Sequence, residues 1–164
     1  MTQDRKTAGD PLADSDQAGG FHVSDYLLYL LAAVSERASN QFHARVRKEG
    51  LRVPEWRVLA CLYDEDGAMI TQLARFALLE QSRLTKIIDQ MAARGLVARR
   101  DDPGDKRRVR VFLTEHGRSL ADRLVADALQ HEAGILAALD GDEAAGLKPV
   151  LKALLDRMKD GSGA

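Results

Sequence analysis

One short segment constrains the fold of this 164-residue chain more than any other, the run Asp101-Asp102-Pro103-Gly104-Asp105. These residue types favour tight turns. The segment separates two β-prone runs, residues 97–100 and 109–113, and this arrangement predicts a β-hairpin with a charged tip. Most of the remaining chain carries the apolar spacing of helices, so we predict a mainly α (α+β) fold.

Three helices are predicted in the first half of the chain. Ser24 is a suitable N-cap for the first, which ends near Gly50, and Pro54 suits the first turn of the second. Thr71 is a suitable cap for a brief third helix, in which we expect Phe76 to face inward with its apolar neighbours. The residues expected to be buried along the first two helices are Leu27, Leu30, Leu31, Val34, Ala38, Phe42, Val46, Trp56, Leu59, Leu62 and Tyr63.

The fourth helix, predicted over Gln81 to Arg94, has two chemically different faces. Its apolar face is formed by Leu84, Ile87, Ile88 and Met91, and its polar face by Ser82, Arg83, Lys86 and Gln90. Gly95 is well placed as its C-cap. The sequence therefore predicts a helix that packs on one side and presents polar groups on the other.

Two longer helices follow the hairpin. Thr114 opens the first, and Asp140 with Glu143 resembles a capping box for the second. Pro149 lies inside the last helix, where it removes one backbone hydrogen bond, so we expect it to kink or interrupt that helix. The apolar residues expected to face inward are Leu120, Leu124, Ala128, Ile135, Leu139, Leu147, Val150, Leu151, Leu154, Leu155 and Met158.

The basic charge of the chain is concentrated in one region. The whole sequence has a formal net charge of -1, yet residues 81–118 contain ten Lys or Arg against five Asp or Glu. The rest of the chain is therefore acidic. A helix with a polar face fits the major groove of DNA, and a basic hairpin beside it can reach the phosphates or the minor groove.

Two motifs in this basic region resemble the MarR family of bacterial transcription factors. The run Leu84-Thr85-Lys86-Ile87-Ile88-Asp89-Gln90-Met91, followed by Arg94-Gly95-Leu96-Val97, resembles the recognition helix of that family. The run Asp102-Pro103-Gly104-Asp105-Lys106-Arg107-Arg108, followed by Val111-Phe112-Leu113-Thr114 and Gly117, resembles its wing. The resemblance covers residues 24–158 and implies a winged helix-turn-helix whose long terminal helices form a dimerisation base.

Composition, length and the resemblance together predict an organisation into segments. Residues 1–20 have little to bury and are expected to be a disordered tail, and residues 21–160 are expected to form a single domain. The winged helix-turn-helix core is expected at about residues 54–113. The dimerisation helices are expected at about residues 24–50 and 114–159.

By the same resemblance, the DNA-binding residues lie on the fourth helix and the wing. On the helix, the residues expected to face the major groove or its flanking phosphates are Gln81, Ser82, Arg83, Thr85 and Lys86. Arg83 is the best base reader, since a bidentate arginine contact to guanine is worth about 1–3 kcal/mol of discrimination. Arg107 corresponds to the wing-tip arginine of the family and Asp105 to the acid that orients it, while Arg108 adds charge beside them.

The function implied is that of a sequence-specific transcriptional regulator. It would be a homodimeric repressor on double-stranded DNA with a palindromic operator, released by a small-molecule effector such as an aromatic acid or its thioester. The candidate effector residues are His43, Arg47, Trp56 and Tyr63, although the sequence favours surface helix positions for the first two and core packing for the last two. The alternative is a winged-helix adaptor that binds proteins and not DNA, but the polar face of the fourth helix lacks apolar anchors for a protein partner.

Other function classes find little support in the sequence. No nucleophile, base or phosphate-binding loop forms a recognisable constellation, so we predict neither an enzyme nor a cofactor. The four histidines show no metal-ligand spacing with Cys61, whose apolar neighbours predict a buried and inert thiol. The longest apolar run, residues 27–34, is too short to span a bilayer, and a cytoplasmic location is expected.

Overall fold

The computed structural model describes residues 20–105 and 108–160, with the side chains of residues 159 and 160 left aside. The tail predicted for residues 1–20 therefore lies outside the described residues except for its last position, and so do Lys106 and Arg107 of the wing. The chain divides into two units, residues 1–37 and residues 38–164. The division falls inside the first α-helix, α1 (Leu27–Lys48).

The first unit starts with a short 3-10 turn, Val23–Asp25, before α1 begins. Ser24 lies inside this turn, so the prediction that it caps α1 is wrong. The Phe21 ring packs against Tyr26, with 5.5 Å between the ring centroids. The predicted burial of this part of α1 is also wrong for the single chain, because Leu27, Leu30, Leu31 and Val34 are all exposed.

The second unit holds the remaining elements in an order typical of a winged helix-turn-helix. After α1 come α2 (Val53–Asp64), β1 (Ala68–Met69), α3 (Ile70–Phe76), α4 (Gln81–Ala93), β2 (Val97–Asp101), β3 (Val109–Leu113), α5 (Glu115–Leu136) and α6 (Gly141–Asp160). The mainly α fold with a winged helix-turn-helix is confirmed. Among the described residues, no helix has the length and apolarity needed to cross a membrane.

A three-stranded antiparallel sheet carries the wing, with strand order β1-β3-β2. The predicted hairpin is confirmed, with Val97 paired to Leu113 and Arg100 paired to Arg110. The short strand β1, which the sequence analysis did not identify, pairs with β3 through Ala68 and Val111. This third strand attaches the base of the wing to the segment that leads into α3.

The core of the second unit lies between α2, α4, α5 and the sheet. All four apolar residues predicted for α4 are buried, and so are Leu59 and Leu62 of α2. Two inward predictions are wrong, since Phe76 and Tyr63 are both exposed. Each lies next to a fully buried residue, Leu62 before Tyr63 and Ala77 after Phe76, and successive helix residues point about 100° apart, so these two side chains face away from the core. Phe42 and Val46, near the end of α1, do join the core as predicted.

The turn between α3 and α4 has an unusual backbone at Leu78. This residue has a φ of 56°, a left-handed conformation that favours glycine, and its side chain is 78% exposed. The backbone N–H of Leu79 donates to the Ala74 carbonyl at 3.0 Å, which closes α3 in the way that a glycine-capped helix end usually does. The turn therefore has the geometry of a glycine-capped helix end, although Leu78 stands at the position where glycine is usual and its left-handed backbone costs free energy.

The helix ends follow the sequence predictions at some positions and depart from them at others. Gly95 has a φ of 67° and ends α4 as predicted, and the Thr114 hydroxyl accepts a hydrogen bond from the Gly117 N–H at 3.0 Å as the predicted cap of α5. Thr71 does not cap α3, because that helix already begins at Ile70. There the Gln72 side chain accepts from the Met69 backbone N–H at 2.9 Å.

The last helix, α6, is continuous from Gly141 to Asp160, so Pro149 does not interrupt it, and the predicted kink stays a prediction. Half of the predicted capping box forms, because the Asp140 backbone N–H donates to the Glu143 carboxylate at 3.2 Å. The predicted burial of α6 is wrong for the single chain. Its apolar residues are between 37% and 65% exposed: Leu147, Val150, Leu151, Leu154, Leu155 and Met158. In α5, Leu120 and Leu124 are buried, while Ile135, nearer its end, is exposed.

Candidate DNA interface

The polar face of α4 is open to solvent. The exposed residues among those predicted to meet DNA are Gln81, Ser82, Arg83 and Lys86. Thr85 is half-buried, and its hydroxyl donates to the Gln81 carbonyl one turn earlier at 3.0 Å. Four residues on the opposite face of the same helix are buried in the core, so the packing of α4 determines which side chains point outward.

Ion pairs and hydrogen bonds hold the C-terminal half of α4 and the residue that follows it. Asp89 pairs with Arg99 of β2, which connects the helix to the wing. Gln90 accepts a hydrogen bond from Arg52, the residue before α2. Arg94, directly after α4, donates to the Gly50 carbonyl at 2.8 Å. These contacts fix the helix relative to the α1–α2 loop and the hairpin.

A buried carboxylate, Glu55, lies at the centre of this arrangement, with a side chain only 1% exposed. It receives hydrogen bonds from the Arg52 guanidinium at 2.9 Å and from Arg94 at 3.1 Å, and from the Arg52 backbone N–H at 2.7 Å. Burial alone would raise the pKa of Glu55, but the Arg52 hydrogen bonds and the nearby Arg94 charge outweigh it and lower the pKa. Glu55 is therefore a charged link between the start of α2 and the end of α4.

The turn of the wing is organised by Asp102, a nearly buried carboxylate. Its Oδ1 accepts from the backbone N–H groups of Gly104 at 2.8 Å and Asp105 at 3.1 Å, and its Oδ2 accepts from Arg110 Nε. The hydrogen bond from Arg110 is the main reason that the pKa of Asp102 is lowered, and the Gly104 N–H adds to it. Arg110 also donates to the Gly67 carbonyl at 3.0 Å, which ties the wing to the turn before β1.

Two of the wing residues predicted to meet DNA, Asp105 and Arg108, follow Asp102 in the segment between β2 and β3. Asp105 Oδ2 lies 3.4 Å from Arg108 Nε, and the side chain of Arg108 is exposed. Arg107 lies outside the described residues, so the predicted pairing of Asp105 with Arg107 stays a prediction. Gln81 and Arg108 meet at a common cavity between α4 and the wing, together with residues of β1 and α3.

Comparison with known proteins connects this geometry to a family. The model of the MarR family matches residues 51–109, which run from the start of α2 to the start of β3. The MarR family transcriptional regulator SPO1453 from Silicibacter pomeroyi DSS-3 is 59% identical, with a TM-score of 0.77, and the match covers 85% of this chain and 99% of that one. The chain belongs to the MarR family.

The names of two further relatives state a function. The HTH-type transcriptional repressor IacR of Pseudomonas putida is 32% identical over 115 residues, which are 70% of this chain and 66% of that protein. A structure of Bordetella bronchiseptica BpsR, concerned with the regulation of its DNA binding by 6-hydroxynicotinic acid, has 26% identity and a TM-score of 0.75 and covers 84% of this chain and 99% of that one.

This MarR-family chain is a DNA-binding transcriptional regulator with a winged helix-turn-helix. SPO1453 is named as a transcriptional regulator and IacR as a transcriptional repressor. They support the DNA-binding reading over the adaptor alternative.

The candidate effector residues of this MarR-family protein fall into two groups. Burial lowers the pKa of His43, and the positive charges of Arg57 and then Arg47 lower it further, so three basic groups lie within electrostatic reach of one another. Trp56 is half-buried and packs edge-on against Phe42, with ring centroids 5.1 Å apart.

Tyr63 lies on α2 two turns after Trp56. It is exposed, with the Arg118 guanidinium 5.7 Å from its ring centroid.

Cys61, on the same helix, is half-buried rather than buried as predicted. Burial first, and the Asp64 carboxylate second, raise the pKa of its thiol, which favours the inert protonated form.

Several residues that organise the interface were not singled out from the sequence. Asp102 had a local signal, because an Asp two residues before a Gly often bonds its own turn. Glu55 also had one, since an acid in the first turn of a helix commonly bonds the backbone before it. Arg94 and Arg110 had none, because an arginine that makes structural bonds has the same sequence pattern as one on a solvated face.

Proposed function

We propose that this regulator is a homodimeric repressor that binds a palindromic operator in the cytoplasm and is released by an aromatic acid. The observation that carries the proposal is the division of α4 into a buried apolar face and an open face bearing Arg83 and Lys86. A helix held in this way presents its polar groups in one direction, as reading base edges in a major groove requires.

On the DNA, Arg83 is proposed to read a guanine, while the neighbouring polar residues bind base edges or flanking phosphates. These neighbours are Gln81, Ser82, Thr85 and Lys86. Arg107 is proposed to enter the minor groove from the wing, with Asp105 and Arg108 beside it. The Asp102 turn supports the wing because it fixes the backbone on both sides of the tip.

Exposed apolar side chains support the homodimer. The first part of α1 exposes Leu27 and Val34, and α6 independently exposes Val150 and Leu155. Exposed apolar stripes of this extent on helices of one chain are typical of surfaces that another chain covers. A second copy would cover them and would place two recognition helices on the two halves of a palindrome, about 34–36 Å apart.

The effector is proposed to be an aromatic acid bound by residues of α1 and α2. Arg47 and Arg57 supply positive charge for a carboxylate, His43, whose lowered pKa favours the neutral imidazole, supplies a ring N–H donor, and Trp56 supplies an aromatic surface. The aromatic acid in the BpsR study is of the same chemical class. Tyr63 is a second aromatic candidate further along α2.

A selection experiment tests DNA reading. The protein is used to enrich duplexes from a random pool, and affinity for the recovered duplex is then measured at several salt concentrations. Arg83→Gln is expected to lose about 5- to 150-fold in affinity for that duplex and little for random DNA. Arg107→Gln is expected to reduce the slope of log affinity against log salt by about 0.9.

Arg123→Gln is the matched control, because Arg123 is an exposed arginine on α5 that pairs with Glu49. It should leave the preference for the recovered duplex unchanged. If no sequence is enriched, or if Arg83→Gln and Arg123→Gln behave alike, the assignment of α4 as the reading element is wrong.

Release by the effector is tested with 6-hydroxynicotinic acid and simple benzoic acids. A ligand that raises the melting temperature and displaces the recovered duplex supports the proposal. Arg47→Gln should weaken that ligand while leaving DNA affinity in its absence unchanged. Displacement of DNA that is equally strong in Arg47→Gln would contradict the proposed location.

A further inference from the structure

A cavity of about 290 Å³ lies where the end of α2, β1 and α3 meet. Its apolar lining comes from all three elements, through Ala60 of α2, Ala68 of β1 and Leu73 of α3. Ala68 and Leu73 are buried in the core, so the packing of the second unit fixes this part of the lining. Small-molecule sites begin at about 300 Å³ and combine an apolar lining with a few polar groups.

An aromatic ring borders the cavity without being packed into the core. Phe76, the last residue of α3, lines the cavity and is 64% exposed. Leu73 and Ala77, its neighbours around the helix end, are both fully buried. An exposed phenylalanine ring keeps apolar area that a ligand can cover, and the face of the ring attracts cations. Phe76 therefore offers a ligand both apolar contact and a preference for positive charge.

Two carboxylates complete the lining, and both lie at the C-terminal end of α2. Asp64 is the last residue of that helix, and Glu65 is its C-cap, whose backbone N–H donates to the Cys61 carbonyl at 2.9 Å. The last turn of α2, which the structure describes in full, holds no basic residue. Carboxylates at this end of a helix meet the negative end of its dipole, an unfavourable arrangement that a nearby cation relieves.

The charged groups of the lining are all acidic. Within the part of the chain that the structure describes, no lysine or arginine lines the cavity. Cys61 also belongs to the lining, and burial first, then the Asp64 carboxylate, raise the pKa of its thiol. The thiol is therefore held in its neutral form, and the charge presented to a ligand is that of Asp64 and Glu65.

We infer that this cavity binds a small organic cation with an apolar body, such as a substituted ammonium ion. The ammonium group lies between the Asp64 and Glu65 carboxylates and against the face of Phe76, and the apolar body covers Ala68 and Leu73. A bare metal ion would leave the aromatic ring and the apolar lining uncovered. An organic acid would be repelled by both carboxylates.

The inference goes beyond the proposed function and does not depend on it. The proposed aromatic-acid site uses the positive charges of Arg47 and Arg57, whereas this cavity presents two carboxylates. Ligands of opposite charge therefore choose different sites. A cation held here contacts α2 and α3 together, and Leu73 of α3 belongs to the core that also includes the apolar face of α4. The bound cation therefore stabilises the folded helix-turn-helix by mass action.

Cys61 makes a site-specific test possible, because it lines the cavity and is the only cysteine in the sequence. The full chain is alkylated with iodoacetamide, a neutral reagent, and the adduct is followed by the mass of the intact protein. Benzyltrimethylammonium is the probe, with benzyl alcohol and phenylacetate as neutral and anionic counterparts, and sodium chloride controls for ionic strength. The ammonium ion should slow alkylation about tenfold at about ten times its Kd, and the other three should have little effect.

Asp64→Asn is the deciding variant, and Asp122→Asn is its control, because Asp122 is an exposed carboxylate on α5. Asp64→Asn should raise the ammonium concentration that gives half-maximal protection by about two- to fivefold, whereas Asp122→Asn should leave it unchanged. This concentration is compared, and not the alkylation rate, because the Asp64 charge also affects the thiol. Phe76→Leu should raise it by about two- to fivefold, with Phe21→Leu as the control at another exposed phenylalanine.

The melting temperature provides a second readout that does not use the thiol. Benzyltrimethylammonium should raise it more in the wild type than in Asp64→Asn. Equal protection by benzyl alcohol, or the same half-maximal concentration in Asp64→Asn and Asp122→Asn, would overturn the cation site. A wild-type melting temperature that the ammonium ion leaves unchanged would also overturn it. The duplex selection with Arg83→Gln is independent of these measurements, so failure of the cation site and failure of DNA reading are distinguishable.

Discussion

Two helices of this protein have similar sequence patterns and opposite surroundings. Both α4 and α6 carry apolar residues at helical spacing. In α4 the four apolar residues are between 0% and 6% exposed, whereas in α6 the six apolar residues are between 37% and 65% exposed. Helical periodicity shows that a face will be covered but does not specify whether the same chain covers it.

The difference separates two kinds of function. The buried apolar face of α4 stabilises the fold of a single chain, and the polar face of the helix remains open for DNA. The exposed apolar face of α6 can stabilise only an association, because burial of its apolar area requires the surface of another chain. Substitutions in the two helices should therefore differ in their dependence on protein concentration, and the following predictions use that difference.

The largest effect is expected for Ile88→Ala in α4. Ile88 is fully buried in the core, and truncation of such a side chain costs about 2–5 kcal/mol through lost burial and the cavity left behind. The loss should be the same at every protein concentration and should be accompanied by loss of DNA binding at temperatures where the variant unfolds. Urea unfolding followed by circular dichroism measures it. A loss that varied with concentration would mean that α4 also depends on association.

A smaller loss, about 1–2 kcal/mol at neutral pH, is expected for Glu55→Gln, because its two arginine partners are roughly half-exposed. The pKa of Glu55 is lowered in the folded protein, so its contribution is fully present above the unfolded value of about 4.3 and is lost as the pH falls through the folded value. The difference in unfolding free energy between wild type and variant should therefore shrink on acidification below about pH 4. A difference that grew on acidification would contradict the charged link.

An increase of about 1 kcal/mol is expected for Leu78→Gly. The left-handed backbone of Leu78 costs a non-glycine residue about 1–2 kcal/mol, and part of the gain is offset by the greater freedom of glycine in the unfolded chain. The exposed Leu78 side chain gives up little burial. A higher midpoint in thermal unfolding, independent of concentration, checks this. A lower midpoint would show that the Leu78 side chain makes a stabilising contact.

The smallest effect is expected for Leu155→Ala in dilute protein. Leu155 lies on the exposed face of α6, where substitution in the monomer should change the unfolding free energy by less than about 0.5 kcal/mol. At higher concentrations the variant should become clearly less stable than the wild type, because a dimer buries this face. Sedimentation and unfolding at matched concentrations provide the measurement. Equal effects at all concentrations would remove α6 from the dimer interface.

The sequence was most informative where local chemistry determines the structure. Gly95 and Thr114 were identified because a left-handed cap and a side-chain cap depend on one or two neighbouring residues. Ser24 and Thr71 have suitable chemistry, but the chain begins those helices elsewhere, and a cap residue does not by itself determine which turn comes first. Helix boundaries depend on tertiary packing that single residues do not encode.

The outward-facing residues of the candidate site could be predicted from the sequence, whereas the contacts that hold α4 and the wing in place could not. Arg83 and Lys86 lie opposite an apolar stripe, and the periodicity alone places them outside. The contact of Glu55 with Arg94 joins residues 39 positions apart, and that of Gly67 with Arg110 joins residues 43 positions apart. Pairings over such separations are determined by the packed fold.

The start of α5 is joined to the end of α4 more tightly than a flexible linker would allow. A side-chain carbon placed at Gly117 would lie 1.9 Å from the Leu96 carbonyl oxygen, and the Thr114 hydroxyl donates to the Gly95 carbonyl at 2.6 Å. With no space for even a methyl group, α5 cannot slide past this point without breaking backbone contacts. The residues that lead from α4 into the wing and the first turn of α5 are therefore packed as one unit.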